Sequence, residues 1–137
     1  MQINPYLSFN GQCEAAFTLY ARIFGGQVGA IFRYAGSPMA DLAPPDWQEK
    51  VMHGSVTIGA LELSGADVLP AHYETPKGFS LSIQIKGAAE AERIFGELSG
   101  DGTVTMPLEK TFWAVRFGML VDQFGTPWMV NCPMEEG

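Results

Sequence analysis

Tyr6-Leu-Ser-Phe-Asn-Gly11 is a short alternating stretch that ends in a glycine, and the same design returns at Leu81-Ser-Ile-Gln-Ile-Lys-Gly87. Each stretch is followed by a run with apolar residues at helical spacing, and each run ends at glycines. The glycines that close the two stretches are 76 positions apart, and Gly26 and Gly102 repeat this offset. A repeat of this length is too long for a solenoid unit and is typical of a duplicated half-domain.

The periodicity predicts the element order β-α-β-β-β, twice. Helices are expected over residues 13–24 and 88–98, and two hairpins are expected over 51–63 and 113–132. Module one should span about residues 1–65 and module two about 79–137. The segment of about 66–78 is predicted as a linker, because it contains Pro70 and Pro76. The sequence therefore indicates an α+β fold in one domain.

The composition of the chain argues against several classes of function. The chain has 137 residues, 47% of them hydrophobic, and a formal net charge of −7. This size suits one domain with a proper core, and the acidic balance argues against a nucleic-acid partner. No apolar run is long enough to span a bilayer, and no secretory signal precedes Tyr6, so we expect no membrane partner and a cytoplasmic location.

Two cysteines, Cys13 and Cys132, show no metal-ligand spacing. Cys13 falls at the predicted start of a helix, where the helix dipole is expected to lower its pKa somewhat. The simpler interpretation is a small buried residue at each site.

Several short motifs carry a resemblance to a known family. Beyond the opening stretch they are Ala16-Phe-Thr-Leu-Tyr20, Phe24-Gly-Gly26, Met52-His53, Met106-Pro-Leu108, Thr111-Phe-Trp-Ala114, Phe117-Gly-Met119, Asp122-Gln-Phe-Gly125 and Trp128-Met-Val-Asn131. With the repeated order of elements, the chain resembles the vicinal oxygen chelate superfamily, which includes glyoxalase I, bleomycin and fosfomycin resistance proteins and ring-cleaving dioxygenases. Within it, the chain is most similar to the PhnB-like group. The resemblance implies two modules that form an open β-cup, the glyoxalase/bleomycin resistance fold, and a homodimer with the cup as its ligand site.

The resemblance also implies where a metal would bind in the metal-dependent members. Their ligands, mostly His and Glu, come from the first and fourth strand of each module. This chain offers Pro5 or Tyr6, then Glu62, Ser80 and Met129 at those places, and Glu62 is the one competent ligand among them. We therefore expect no metal and no cofactor.

Glu62 and His53 are the candidate catalytic residues. Glu62 lies between two leucines, so it is either a carboxylate in an apolar cleft that acts as a general base or a solvent-facing residue on a wet sheet face. By period-2 alternation His53 shares a strand face with Ser55 and Thr57, where a neutral imidazole could relay a proton or serve as a structural hydrogen-bonding residue.

A second set of residues is predicted to contact the ligand. The large aromatic side chains could line a pocket or pack in the core. An arginine in the cleft could bind a carboxylate or phosphonate, although a surface ion pair is the alternative. The set consists of Tyr6, Ser80, Ser82, Phe112, Trp113, Arg116 and Trp128.

Three functions are consistent with these residues. The first is a PhnB-like protein that binds a small organic molecule in a metal-free cup. The second is a lyase or isomerase of the same superfamily acting on a small oxygenated or phosphonate substrate, with or without a divalent metal. The third is a structural or regulatory dimer whose cup is filled by side chains. A methyltransferase label is often attached to this group, but no glycine-rich nucleotide loop is visible in the sequence. Whether the modules pair within one chain or between protomers is left open.

Overall fold

The computed structural model describes residues 1–134. The chain divides into two compact units, Met1–Glu74 and the part from Thr75 onward. The predicted β-α-β-β-β order is present in both.

The first unit is a four-stranded sheet with one long helix. Its elements are β1 (Tyr6–Phe9), α1 (Cys13–Phe24), β2 (Gln27–Arg33), β3 (Val51–Ile58) and β4 (Leu61–Asp67), with short 3₁₀ turns at Ala40–Leu42, Pro45–Trp47 and Pro70–His72. The strands lie in the order β1-β4-β3-β2. β1 runs parallel to β4, and the other neighbours are antiparallel.

The second unit repeats this plan. Its elements are β5 (Leu81–Gln84), α2 (Ala88–Ser99), β6 (Thr103–Glu109), β7 (Ala114–Val121) and β8 (Pro127–Pro133), and the strands lie in the order β5-β8-β7-β6. β5 runs parallel to β8, which matches the β1–β4 pair of the first unit.

α1 packs on one face of the first sheet because its apolar residues form a single stripe. Ala16, Phe17, Tyr20 and Ile23 are buried along that stripe. A Cβ atom at Gly65 would contact the Phe17 ring at 3.0 Å, so the strand approaches the helix closely there. The helix ends at Gly25, whose φ of 69° is left-handed and therefore suits glycine.

The end of β4 differs from the prediction. The small residues after Leu63 suggested the start of a linker, yet the strand continues through Gly65 to Asp67. The reason is that β4 lies between β1 and β3, so it is paired on both sides. A small residue is needed there for packing against α1, and a glycine inside a strand often marks such a close approach.

Candidate functional site

In the first unit, the face turned away from α1 carries the three predicted site residues of that unit, Tyr6, His53 and Glu62. Gly54 and Gly65 point toward Phe17 of the helix, so alternation places Ser55 and Ser64 on the opposite, open face. Tyr6 lies beside Ser64, and Ser64 lies beside Ser55, in one row across β1, β4 and β3.

Three aromatic rings adjoin this row on the open face. The Tyr6 and His53 rings stack with their centroids 5.8 Å apart, and the Phe32 ring lies 6.4 Å from His53. Tyr6 and Phe32 are exposed, at 55% and 54% of their surface. Exposed apolar rings that form a group are a common sign of a binding surface.

A hydrogen bond joins the two polar members of this group. The Tyr6 hydroxyl lies 3.3 Å from Nδ1 of His53. Burial, and then the nearby Cys13, raises the pKa of Tyr6. In the tautomer whose Nδ1 is unprotonated, the phenol donates to Nδ1 and the other ring nitrogen carries the proton. This tautomer presents the Nε2–H of His53 to a ligand.

Glu62 lies on the same face but away from this group. It is exposed and pairs with Thr57 across the strands, and its Oε1 accepts a hydrogen bond from Ser64 Oγ at 3.3 Å. Thr57 is four residues from His53, so Glu62 lies about 13 Å from His53 along the strands at about 3.3 Å per residue. The two predicted catalytic residues therefore do not act on one atom together within this unit.

A depression of about 510 Å³ adjoins Phe32. Its lining also includes Ile31 and Arg33 of β2, Met52 of β3 and the loop of residues 35–38. Its volume falls in the range of small-molecule sites.

In the second unit, the predicted ligand residues separate into two groups. Phe112 and Trp113 precede β7, and Phe112 is 89% exposed. Trp113 packs edge-on against both Phe112 and Phe117, with centroids 4.8 and 5.3 Å away. Ser82 accepts a hydrogen bond from Gln84 on exposed β5, and Ser80 precedes that strand.

Arg116 and Trp128 lie instead on the side that faces α2. Arg116 pairs with the buried Cys132 across the strands, and its Nε donates to Oε1 of Glu92 in the helix at 3.1 Å. Trp128 is 3% exposed and donates its indole N–H to Oδ2 of Asp122 at 2.8 Å. Both side chains are engaged within their unit, so neither contributes to its open face. Period-2 alternation from the buried Gly118 would have placed Arg116 on this side.

Sequence reasoning missed Phe32 and Asp67. Phe32 joins the aromatic group because it pairs with His53, a register that no local pattern specifies. Asp67 was assigned to the linker, yet it is 1% exposed. Its carboxylate accepts hydrogen bonds from the backbone N–H groups of Cys13 at 2.8 Å and Val51 at 2.9 Å.

The expectation for Cys13 was wrong. Its pKa is raised rather than lowered, first by burial and then by the negative charges of Asp67 and Glu14. The helix dipole is outweighed because the thiol is fully buried and a carboxylate already binds the first helical N–H. Cys13 is therefore a protonated core residue at neutral pH.

A cavity of about 590 Å³ lies on the other side of the first unit, beside α1. It is lined by Arg22, Arg33 and Lys50, but also by acidic groups. Arg33 is bound to the Glu14 carboxylate at 3.0 Å, and Lys50 donates to the carbonyl of Gly11. Because most of these charges already have partners, we place the candidate site on the open face.

The residues present do not assemble a metal site of the expected kind. Within residues 1–134, no group of three or more His, Cys, Asp and Glu side chains is placed to hold a metal ion. In the same part of the chain, no helix is long and apolar enough to cross a bilayer.

Comparison with known proteins places the chain in a family. Residues 1–131 match the family model described as 3-demethylubiquinone-9 3-methyltransferase. Protein YjdN of Escherichia coli (strain K12) is 31% identical over 139 residues, which covers 96% of this chain and 95% of that protein. The crystal structure of protein PA1353 from Pseudomonas aeruginosa is 45% identical, with a TM-score of 0.88 over 98% of this chain and 99% of that one.

More distant structures show the fold alone. A PhnB protein from Bacillus cereus has a TM-score of 0.83 at 24% identity, covering 96% of this chain and 99% of that chain. Structures of a glyoxalase/bleomycin resistance/dioxygenase family enzyme and of a fosfomycin resistance protein each reach 0.63 at 14% and 10% identity. The predicted α+β glyoxalase/bleomycin resistance fold is thereby confirmed.

Proposed function

The chain belongs to the 3-demethylubiquinone-9 3-methyltransferase family, a PhnB-like group with the glyoxalase/bleomycin resistance fold, and we propose that it binds a small organic molecule on the open face of its first sheet. The observation that carries this proposal is the aromatic group of Tyr6, Phe32 and His53, in which Tyr6 and Phe32 are exposed and His53 is half-buried. An aromatic or planar ligand would stack on the rings, while Nε2–H of His53 would donate to a polar group of the ligand. The adjoining depression offers room for its remainder.

Methyl transfer, which the family description names, has less support from these residues. The turns between the first strand and the helix of each unit contain a single glycine, Gly11 or Gly87. Neither turn forms a glycine-rich loop that could cradle a nucleotide-like cofactor. Each described sheet also has one parallel strand pair rather than a doubly wound parallel arrangement. We therefore base the proposal on ligand binding.

The proposal is tested by native mass spectrometry of protein purified gently from cell lysate, followed by titration with a planar aromatic probe, anilinonaphthalene sulfonate. We expect a co-purified small molecule and probe fluorescence that saturates. Tyr6→Ala should weaken probe binding at least about fivefold, because ring stacking contributes on the order of 1 kcal/mol beyond apolar contact. Leu42→Ala is the matched control, since Leu42 is 62% exposed in a 3₁₀ turn outside the aromatic group. Equal loss in the two variants would contradict the proposal.

A lyase or isomerase activity is the second candidate, and the Tyr6–His53 hydrogen bond favours it. In this role Nδ1–H of a neutral His53 would donate to the Tyr6 hydroxyl oxygen, which would leave the Nε2 lone pair free to remove a proton from a small oxygenated or phosphonate substrate. Proton removal exchanges substrate hydrogen with solvent, so the co-purified molecule should incorporate deuterium in D₂O with the wild type and not with His53→Gln. Incorporation at the same rate in both proteins would remove His53 from this role, and Glu62→Gln would then test Glu62.

We also propose that the protein is a cytoplasmic homodimer that needs no metal or cofactor. The family resemblance supports the dimer, and the location stays a prediction. The same native mass spectrum tests the assembly: a monomeric mass at micromolar concentration would contradict it.

A further inference from the structure

Three methionines form a row across the second sheet. Met106 on β6 pairs with Met119 on β7, and Met119 pairs with Met129 on β8. Directly paired residues project to the same side of a sheet, and neighbouring strands lie about 4.8 Å apart. The three side chains therefore stand next to each other on adjacent strands.

The row lies on the face turned away from α2. Gly118 and Val130 flank it along the strands, and both are buried. A Cβ atom at Gly118 would contact Phe95 of the helix, which identifies the helix-facing side. By alternation Met119 and Met129 take the open side, where they are half-buried, while Met106 is 44% exposed.

An irregularity in β6 brings Met106 into the row. Val104 pairs with Leu120, so regular antiparallel pairing would place Thr105 opposite Met119 and Met106 opposite the helix-facing Gly118. The register shifts between Val104 and Met106, and Met106 pairs with Met119 instead. Bulges of this kind redirect a side chain to the other face of a sheet. The third thioether is thus positioned by a specific backbone feature.

We propose that Met106, Met119 and Met129 form a binding site for a soft monovalent metal ion of the copper(I) class. Thioether sulfur is a neutral, polarisable ligand that prefers such ions over hard divalent cations. Methionine has three freely rotating side-chain bonds, so the outer two sulfur atoms can converge on an ion held above the central one. The net charge of −7 raises the local concentration of cations. All three residues of this site belong to the second unit.

The test follows the methionine methyl groups directly. Protein labelled with ¹³C at the methionine methyls has seven signals, one for each methionine. We titrate it with silver(I), a redox-stable ion of the same class, and with copper(I) without oxygen. The signals of Met106, Met119 and Met129 should shift together at one equivalent, and those of Met1, Met39, Met52 and Met134 should not.

Substitution measures the contribution of the central ligand. Met119→Leu keeps the apolar volume, so the fold should persist, and the affinity for silver(I) should fall at least about tenfold, as loss of even a supporting metal contact does. Met39→Leu, which replaces an exposed methionine of the first unit, should leave the affinity unchanged. Should Met119→Leu fail to fold, Met129→Leu serves in its place.

Two results would overturn the site. Silver(I) could bind without moving the three methyl signals, which would assign binding to the thiols of Cys13 or Cys132. Zinc(II) could shift the same signals as strongly as silver(I), which would contradict a soft-metal preference. Neither result depends on the aromatic probe or on Tyr6, so failure of this site leaves the proposed ligand binding to be judged separately.

Discussion

The two units share a backbone plan but place different chemistry on it. Gly26 and Gly102 occupy equivalent places between the helix and the next strand, and a Cβ atom at either would clash with a strand carbonyl, that of Thr57 or Val121. The open faces differ: rings and hydroxyls surround His53 in the first unit, and a row of thioethers centred on Met119 crosses the second. The tight backbone contacts at these glycines are thus shared by the two units, whereas the side chains on their open faces differ.

The buried carboxylates show the same divergence inside the units. Asp67 binds the start of α1 to the start of β3. Asp122 is also buried, but it organises the β7–β8 turn through the N–H groups of Phe124 and Thr126 and the indole of Trp128. Each unit thus uses one buried aspartate at a different end of its central hairpin.

The largest loss of stability is expected at Gly26 and Gly102, where the backbone contacts of the two units are alike. Gly26→Ala and Gly102→Ala should each lower the free energy of unfolding by about 3 kcal/mol, because the added methyl group forces the backbone of a neighbouring strand to move. Urea unfolding followed by circular dichroism measures both. Gly96→Ala is the control, since a Cβ atom there meets no atom within 4 Å and alanine favours the helix. Similar stability of the wild type and Gly102→Ala would break the proposed equivalence of the units.

Substitution of the two buried aspartates should affect the two units differently. Asp67→Asn and Asp122→Asn should each cost about 2 kcal/mol, because an amide NH₂ would face a buried N–H donor. The Asp122 variant should also change the emission of Trp128, whose indole loses its acceptor, and the Asp67 variant should not. Urea titration with tryptophan fluorescence and far-ultraviolet dichroism gives both quantities. An emission change of equal size in the two variants would contradict the local role of Asp122.

The smallest effect concerns the buried thiol of the first unit. Burial raises the pKa of Cys13 above its value in the unfolded chain. The contribution of Cys13 to the free energy of unfolding is therefore fully present below the ordinary thiol pKa of about 8.5. It declines as the pH rises above that value, because the unfolded chain then loses the thiol proton while the folded chain keeps it. Its contribution should fall by at most about 1.4 kcal/mol per pH unit between pH 9 and 10. Cys13→Ala should remove this part of the decline, and Cys132→Ala, the buried cysteine of the second unit, should retain it. Identical pH dependence in wild type and Cys13→Ala would refute the assignment.

Local sequence patterns predicted an element correctly where its separate signals agreed. α1 begins at Cys13 and ends at Phe24 as predicted, because an apolar stripe and a terminal glycine agree there. The end of β4 was mistaken because the sequence from Ser64 to Asp67 has the small residues of a loop, and its extended form depends on pairing with two strands. Arg116 and Trp128 were predicted as ligand residues from their side-chain types. Arg116 instead binds Glu92, which is distant in the sequence, and Trp128 binds Asp122, which lies across a turn.

The sequence by itself determined the duplicated order of strands and helices, since hydrophobic periodicity and glycine placement act over a few neighbouring residues. It also carried the family resemblance and named Tyr6 and His53. Only the tertiary structure decided which side chains meet: the contact of Phe32 with His53, the burial of Asp67, and the alignment of Met106 with Met119. These depend on strand register and on a bulge, and a shift of one residue in register moves a side chain to the opposite face of the sheet.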